Sequence, residues 1–252
     1  VPPYLGLSSA KNWAKVILAE DKPRYGGTLL TDDVSIDNMS GKDWSEKIIS
    51  ELKTMPNVTL KNRSQVFGYY DHNMMVMFER VGDHLSNKSK YTPRQRLWYI
   101  RAKETILSTG SIERPIVFGN NDTPGVVLSS AAKEYMKVYG VLVGRKPIIF
   151  TNNDSAYETA FEFKKNNVEP IILDTREEHD SEVVQEAKNK GIQIKFFYGV
   201  IVANGYKKVK SAKIGKLNKD KKSFKSTETI NCDCICVSGF WTPTVHLASQ
   251  SG

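Results

Sequence analysis

The sequence reads as an α/β protein made of two nested Rossmann-like dinucleotide-binding halves with antiparallel meanders. Three observations carry that reading. Short apolar runs alternate with helical periodicities, the alternation occurs twice, and an aromatic- and arginine-rich stretch with no decisive period separates the repeats.

The elements follow in order. Gly6 to Ala14 reads as a short helix packed by small residues, and Lys15 to Asp21 as a buried parallel strand ending in two acids. Asp43 to Leu52 is helical, with Trp44, Ile48 and Leu52 spaced by four, and Asn57 to Phe67 reads as extended. Gly68 to Arg101 suits an antiparallel excursion. Thr123-Pro124-Gly125 marks a turn before a helix over Ser129 to Tyr139. The second repeat places strands at Pro147 to Phe150, Pro170 to Asp174 and Gln193 to Phe197, with helices at Ser155 to Lys165 and Glu182 to Lys190. Asn204-Gly205 predicts a two-residue hairpin turn, because both central residues of such a turn take positive φ. The expected divisions are 1-110 for the first half, incomplete at its N-terminus, 111-230 for a degenerate second half, and 231-252 for a return strand and loop to the first half.

The 252 residues hold 36 Lys and Arg against 28 Asp and Glu, 40% hydrophobic residues, 17 Gly and 3 Cys. Disorder, collagen and disulfide-stapled scaffolds are excluded on that composition. No apolar run approaches the roughly 18 residues that span a bilayer, and Val1-Pro2-Pro3-Tyr4 does not read as a signal peptide, so a cytoplasmic protein without membrane attachment is expected. The absent initiator Met and the end at Ser251-Gly252 suit a piece of something longer. Nine lysines and one aspartate lie between Lys207 and Lys225, so this stretch carries the whole net charge of +8. With no arginine and only Phe224 interrupting the lysines, it reads as a solvated edge kept soluble by lysine rather than a nucleic-acid site, with an anionic partner protein left open.

Cys232, Cys234 and Cys236 fall on one strand face if the run is extended, which reads as packing rather than metal binding. His72, His84, His179 and His246 have no metal spacing, and no catalytic constellation is assigned. Tyr69 to Asn73 reads as a surface turn, with a pocket lining as the alternative. Glu20 and Asp21 stand where a carboxylate holds the adenosine ribose of a dinucleotide, and Gly26-Gly27 follows, where backbone passes close to a ligand. The glycine-rich turn that should precede the first helix is missing, since the chain has only Val1-Pro2-Pro3-Tyr4-Leu5-Gly6. In the second half Thr151 and Asn153 occupy the glycine slots, so weak or no nucleotide binding is expected there.

Phe67 to Asn73, Thr92 to Trp98, Thr109 to Pro115, Asn120 to Val126, Phe150 to Tyr157 and Thr242 to Leu247, taken together, closely resemble the alpha-subunit family of heterotetrameric sarcosine oxidases. That resemblance implies an assembly oxidising sarcosine with oxygen to glycine, hydrogen peroxide and formaldehyde, or methylene-tetrahydrofolate when folate is present. It implies NAD in this segment, FMN at the alpha-beta interface, FAD in the beta subunit, and gamma and delta subunits as further partners. By the same resemblance Glu20 and Asp21 hold the NAD ribose and Thr28 lies near it. Val66 offers backbone to the adenine as the end of the neighbouring strand, while Val237, Thr242 and Thr244, in the loop after the Cys-rich strand, close on the rest, with Gly110 in the same set. Two other readings stay open: an autonomous NAD(P)H-dependent flavin reductase or opine-type dehydrogenase subunit, and a non-catalytic scaffold with a vestigial nucleotide site.

Overall fold

A computed structural model describes residues 2–220 and 222–251. Val1, in the expected glycine turn, and Lys221, in the lysine run, lie outside the described residues. The chain divides into two compact units, Val1–Gly110 with Pro243–Gly252, and Ser111–Thr242.

The first unit runs α1 (Pro2–Lys11), β1 (Val16–Ala19), β2 (Ser35–Ile36), β3 (Met39–Ser40), α2 (Gly41–Thr54), β4 (Val58–Lys61), β5 (Ser64–Tyr70), β6 (Met74–Arg80) and β7 (Gln95–Arg101). β1 and β4 pair in parallel, from Val16 against Val58 to Ala19 against Lys61. α2 begins where the Ser40 hydroxyl accepts from the Asp43 amide at 3.1 Å, and Asp43 adds an acid to the first turn. Its buried face, Trp44, Ile48, Ile49 and Leu52, packs against Leu7 and Ala10 of α1. The expected antiparallel excursion is the meander β5-β6-β7, whose first turn holds His72 and Asn73 at φ 60° and 54°. The extended run expected over Asn57 to Phe67 is broken at Arg63, φ 52°, so β4 and β5 are separate strands in different sheets.

The second unit runs β8 (Ser111–Arg114), β9 (Val126–Leu128), α3 (Ser129–Tyr139), β10 (Pro147–Thr151), α4 (Tyr157–Lys165), β11 (Ile171–Asp174), α5 (Glu182–Asn189), β12 (Gln193–Phe196), β13 (Tyr198–Gly205), β14 (Val209–Leu217), β15 (Phe224–Asn231), β16 (Cys234–Ser238) and β17 (Phe240–Pro243). Its five-stranded parallel sheet has the order β12-β11-β10-β16-β9. One core holds Ile149, Ile172, Cys234 and Cys236 with residues of α3, α4 and α5; a second holds Ile148, Leu173 and Ile235 with residues of β13 and β14. The sheet therefore carries helices on one face and the antiparallel meander on the other. Covered on both faces, β10 and β16 are buried at every residue, which explains their unbroken apolar runs.

Three expectations change. β16 lies between β10 and β9, so residues 234–238 pair within the second unit rather than returning to the first, and only 243–252 group with the first unit. Asn204 and Gly205 do not form the hairpin turn. They end β13, Asn204 opposite Ser211 and Gly205 opposite Val209, and the chain reverses through Tyr206 to Lys208. The Asn204 amide donates to the Ser211 hydroxyl at 3.3 Å, and Gly205 sits at φ 156° with the Lys208 carbonyl where a Cβ would be. The cysteines do not share one face, since Cys232 precedes β16 and packs on the meander side while Cys234 and Cys236 pack on the helix side. Among the described residues no helix is long and apolar enough to cross a membrane, and no group of three or more His, Cys, Asp or Glu could hold a metal.

Candidate functional site

The acid pair stands at the tip of β1. The Glu20 amide donates to the Lys61 carbonyl and the Glu20 carbonyl accepts from the Ser64 amide, both at 2.8 Å, so the tip is fixed between β4 and β5. The Asp21 carbonyl accepts from Arg80 Nη2 at 3.2 Å. Glu20 is half-buried, its Oε1 takes the Lys22 amide at 3.0 Å, and Asp21 is exposed. Burial, then a shared hydrogen bond with the Asp21 carboxyl, pushes the Glu20 carboxyl up to about 7, against the Lys22 amide, which favours the ionised form.

Tyr25, which sequence reasoning missed, completes the group. Burial first and the Glu20 charge second raise its phenol well above the usual range, and its buried hydroxyl has no hydrogen-bond partner. A buried hydroxyl without a partner costs free energy unless a guest supplies one. Its signal in the sequence was slight, one tyrosine directly before the only adjacent glycine pair.

Gly26 sits at φ 129°, where a Cβ would lie 2.9 Å from the Ser45 hydroxyl; Gly27 sits at φ 55° with nothing within 4 Å of the Cβ position. Gly26 is thus glycine for conformation and packing, while Gly27 leaves open space at the turn. Thr28 is exposed and opens the short 3-10 turn Gly27–Leu30. Glu20, Asp21, Tyr25 and the glycine turn lie together in the first unit.

The remaining expected residues are placed differently. Val66 does not end the strand beside β1; it lies inside β5 opposite Met77, just before a bulge at Phe67. Gly110, φ 64°, accepts from the Thr244 amide at 2.9 Å, so these two meet in the first unit. Val237 is inside β16 rather than in the loop after it, with its side chain 1% exposed in the core, and Thr242 is exposed on β17; both belong to the second unit.

At the first turn, a Cβ on Gly6 would meet Val16 and Leu52 side-chain atoms at 3.9 and 4.0 Å, ordinary contact distances, so packing does not demand a glycine there. Pro2 and Pro3 open α1, and neither has an N–H to offer an anion. Glu20, Asp21 and Tyr25 fit the sugar end of a dinucleotide.

In the second unit the corresponding loop is filled from within. Thr151 Oγ1 donates to the Asn153 carbonyl and accepts from its amide, each at 3.0 Å, while the Asn153 side chain donates to the Ser238 hydroxyl at 3.0 Å. Trp241 Nε1 closes on the Ser155 hydroxyl at 2.9 Å. Asp174, at the strand end where a ribose acid would stand, is 0% exposed and takes Tyr157 Oη at 2.8 Å and Arg176 Nη2 at 2.7 Å. Arg176 also reaches Asp154 at 2.6 Å. Burial opposes the charge on Arg176, but the hydrogen bonds it donates to both aspartates outweigh it and hold the guanidinium firmly protonated. The Thr151, Asn153 and Asp174 side chains that line this loop already have protein partners.

No protein-family model matches the chain. It is 34% identical over 247 residues to "Sarcosine oxidase subunit alpha" of Rhizobium meliloti, covering 98% of this chain and 24% of that protein. It is 32% identical over 254 residues to the subunit of the same name from Corynebacterium sp. strain U-96, covering 97% and 26%. The chain thus spans about a quarter of the length of these curated relatives. Among solved structures, T. acidophilum thioredoxin reductase superposes with a TM-score of 0.72 at 12% identity, over 98% of this chain and 76% of that one. L-proline dehydrogenase from P. horikoshii gives 0.65 at 21% identity, over 100% and 42%. These likenesses establish the Rossmann-like α/β fold. Along nearly its whole length, the chain is a homologue of the sarcosine oxidase alpha subunit, corresponding to about a quarter of it.

Proposed function

We propose that the chain is the NAD-binding segment of a sarcosine oxidase alpha subunit and works as part of an oxidoreductase assembly. The observation that carries this is the half-buried Glu20 at the tip of β1, whose charge acts on Tyr25, a tyrosine with a buried hydroxyl and no protein partner for it. A carboxylate that accepts from both hydroxyls of a ribose, beside a phenol able to donate to it, is the chemistry a dinucleotide's sugar requires. When bound, NAD supplies hydride-accepting capacity; Glu20, Asp21 and Tyr25 orient its sugar. The parent assembly, on this reading, converts sarcosine to glycine with hydrogen peroxide and formaldehyde or methylene-tetrahydrofolate. FMN at the subunit interface, FAD in a beta subunit, gamma and delta partners and a cytoplasmic setting belong to the same reading. The segment alone is expected to turn over no substrate.

The internally bonded loop of the second unit, at Thr151, Asn153 and Asp174, favours a second reading, in which nucleotide binding is vestigial and the segment is a scaffold. Melting the 252-residue chain with increasing NAD separates the two. A ligand at 100 times its Kd stabilises by about 2.7 kcal/mol, so a clear rise in Tm is expected, abolished by Asp21→Ala. No shift at saturating NAD overturns the binding assignment. Oxidation of NAD(P)H by the isolated chain with a flavin acceptor would instead favour an autonomous reductase.

A further inference from the structure

We propose that a groove at the free edge of the second unit's sheet docks an extended segment of a partner polypeptide whose side chains alternate between acidic and apolar. The groove has a volume of about 820 Å3 and runs along β12, the outermost strand, which no other strand pairs on its outer side among the described residues. A free edge offers a row of backbone donors and acceptors to a fourth-to-sixth-residue length of extended chain, and strand addition to such an edge is a general mode of peptide recognition.

The two walls differ in chemistry. On the helix side lie Ile192, Ile194 and Phe196, which pack into the helix-face core while still lining the groove. On the meander side lie Lys216, Lys219 and Lys225. Among the described residues none of these three has a carboxylate partner, although Lys195 on β12 itself is matched to Glu228 at 2.7 Å and Lys188 to Glu178 at 3.0 Å. That leaves Glu177 against three unmatched lysines in the lining. Because side chains of a strand alternate between faces, a segment paired to β12 presents every second residue to Ile194 and Phe196 and the others to the lysines. Apolar and acidic residues in strict alternation satisfy both walls.

The end of the groove is held rigid. Phe197 takes φ 62°, an uncommon conformation for a bulky side chain, and is fixed there by its amide to the Arg176 carbonyl at 2.9 Å and by its carbonyl to the Leu217 amide at 2.7 Å. A nucleic acid fits the site less well. The lining has no arginine, Phe196 and Phe197 are half-buried rather than presented for stacking, and a phosphate backbone makes no use of a strand edge.

The test uses the full chain and a fluorescent eight-residue peptide alternating valine and glutamate, followed by anisotropy. Saturable binding is expected, weakened at least tenfold in Lys216→Glu/Lys219→Glu/Lys225→Glu and at least tenfold by N-methylation of alternate peptide nitrogens. Circular dichroism melting of the triple variant verifies that it folds. Absence of saturable binding, equal binding of the N-methylated peptide, or displacement of the peptide by a thymidine oligonucleotide at lower concentration than by unlabelled peptide overturns the proposal. So does concentration-dependent dimerisation through this edge that Ile194→Lys abolishes and the peptide leaves unchanged.

Discussion

Replacing Glu20 with glutamine and following NAD affinity from pH 6 to pH 8 tests the sugar-binding assignment through its electrostatics. The Glu20 carboxyl is raised to about 7 by burial and by the neighbouring Asp21 carboxyl. One unit below that value it is about one-tenth ionised, and one unit above about nine-tenths. A diol donates to the ionised form, so NAD affinity should rise about tenfold across the range. Folding responds in the opposite sense. A carboxyl whose folded value lies above its ordinary 4.5 holds a proton that the unfolded chain has released, so its contribution to stability is full below 4.5 and is lost as pH rises through about 7. NAD, by selecting the ionised form, should oppose that loss. Glu20→Gln should flatten both dependences and leave NAD affinity near the wild-type value at pH 6. Calorimetric titration gives the affinities, and melting curves without ligand give the second slope. An affinity that stays level from pH 6 to pH 8, or that keeps its slope in Glu20→Gln, refutes the reasoning.

Arg176→Leu should lower the unfolding free energy in urea by about 3 kcal/mol, since it leaves the fully buried Asp174 carboxylate without its cation; a loss under about 1 kcal/mol contradicts the buried network. Gly26→Ala should cost about 1–3 kcal/mol, because φ 129° strains any side chain and Ser45 occupies the space, and it should also weaken NAD binding if the turn shapes the site. Leu52→Ala, at 1% exposure between α1 and α2, should cost about 2–5 kcal/mol by chemical denaturation. The thiols should resist a disulfide-exchange dye at pH 8 until the chain unfolds. Burial pushes Cys232 up to about 12, and the Cys234 contact, then burial, pushes Cys236 well up. Fast labelling of any of the 3 cysteines in the native chain would falsify this account.

The second unit was the more legible in sequence because strands covered on both faces write themselves as unbroken apolar runs. Pro147–Thr151 illustrates this. Where a single backbone angle decides, the pattern was silent. Arg63 at φ 52° splits an extended run, and nothing in an arginine announces that turn. Asn204-Gly205 had the composition of a turn, yet the Asn204 side chain found Ser211 across the ladder and the reversal moved two residues on. At the site, the acid pair was visible because it ends an apolar run, whereas the role of Tyr25 depends on burial beside Glu20, a relation that only the folded chain creates. Val237 was misplaced by a strand that continues one residue beyond it.

The self-satisfied loop around Asp174 and Arg176 has a consequence for how this protein experiences its surroundings. One half of the architecture has become its own lodger, its loop held by its own side chains, so on the proposed reading its shape does not depend on whether nicotinamide nucleotides are plentiful or scarce. On the proposed reading, any sensitivity to the supply of that coenzyme is confined to the opposite half, where the buried Tyr25 hydroxyl has no protein partner.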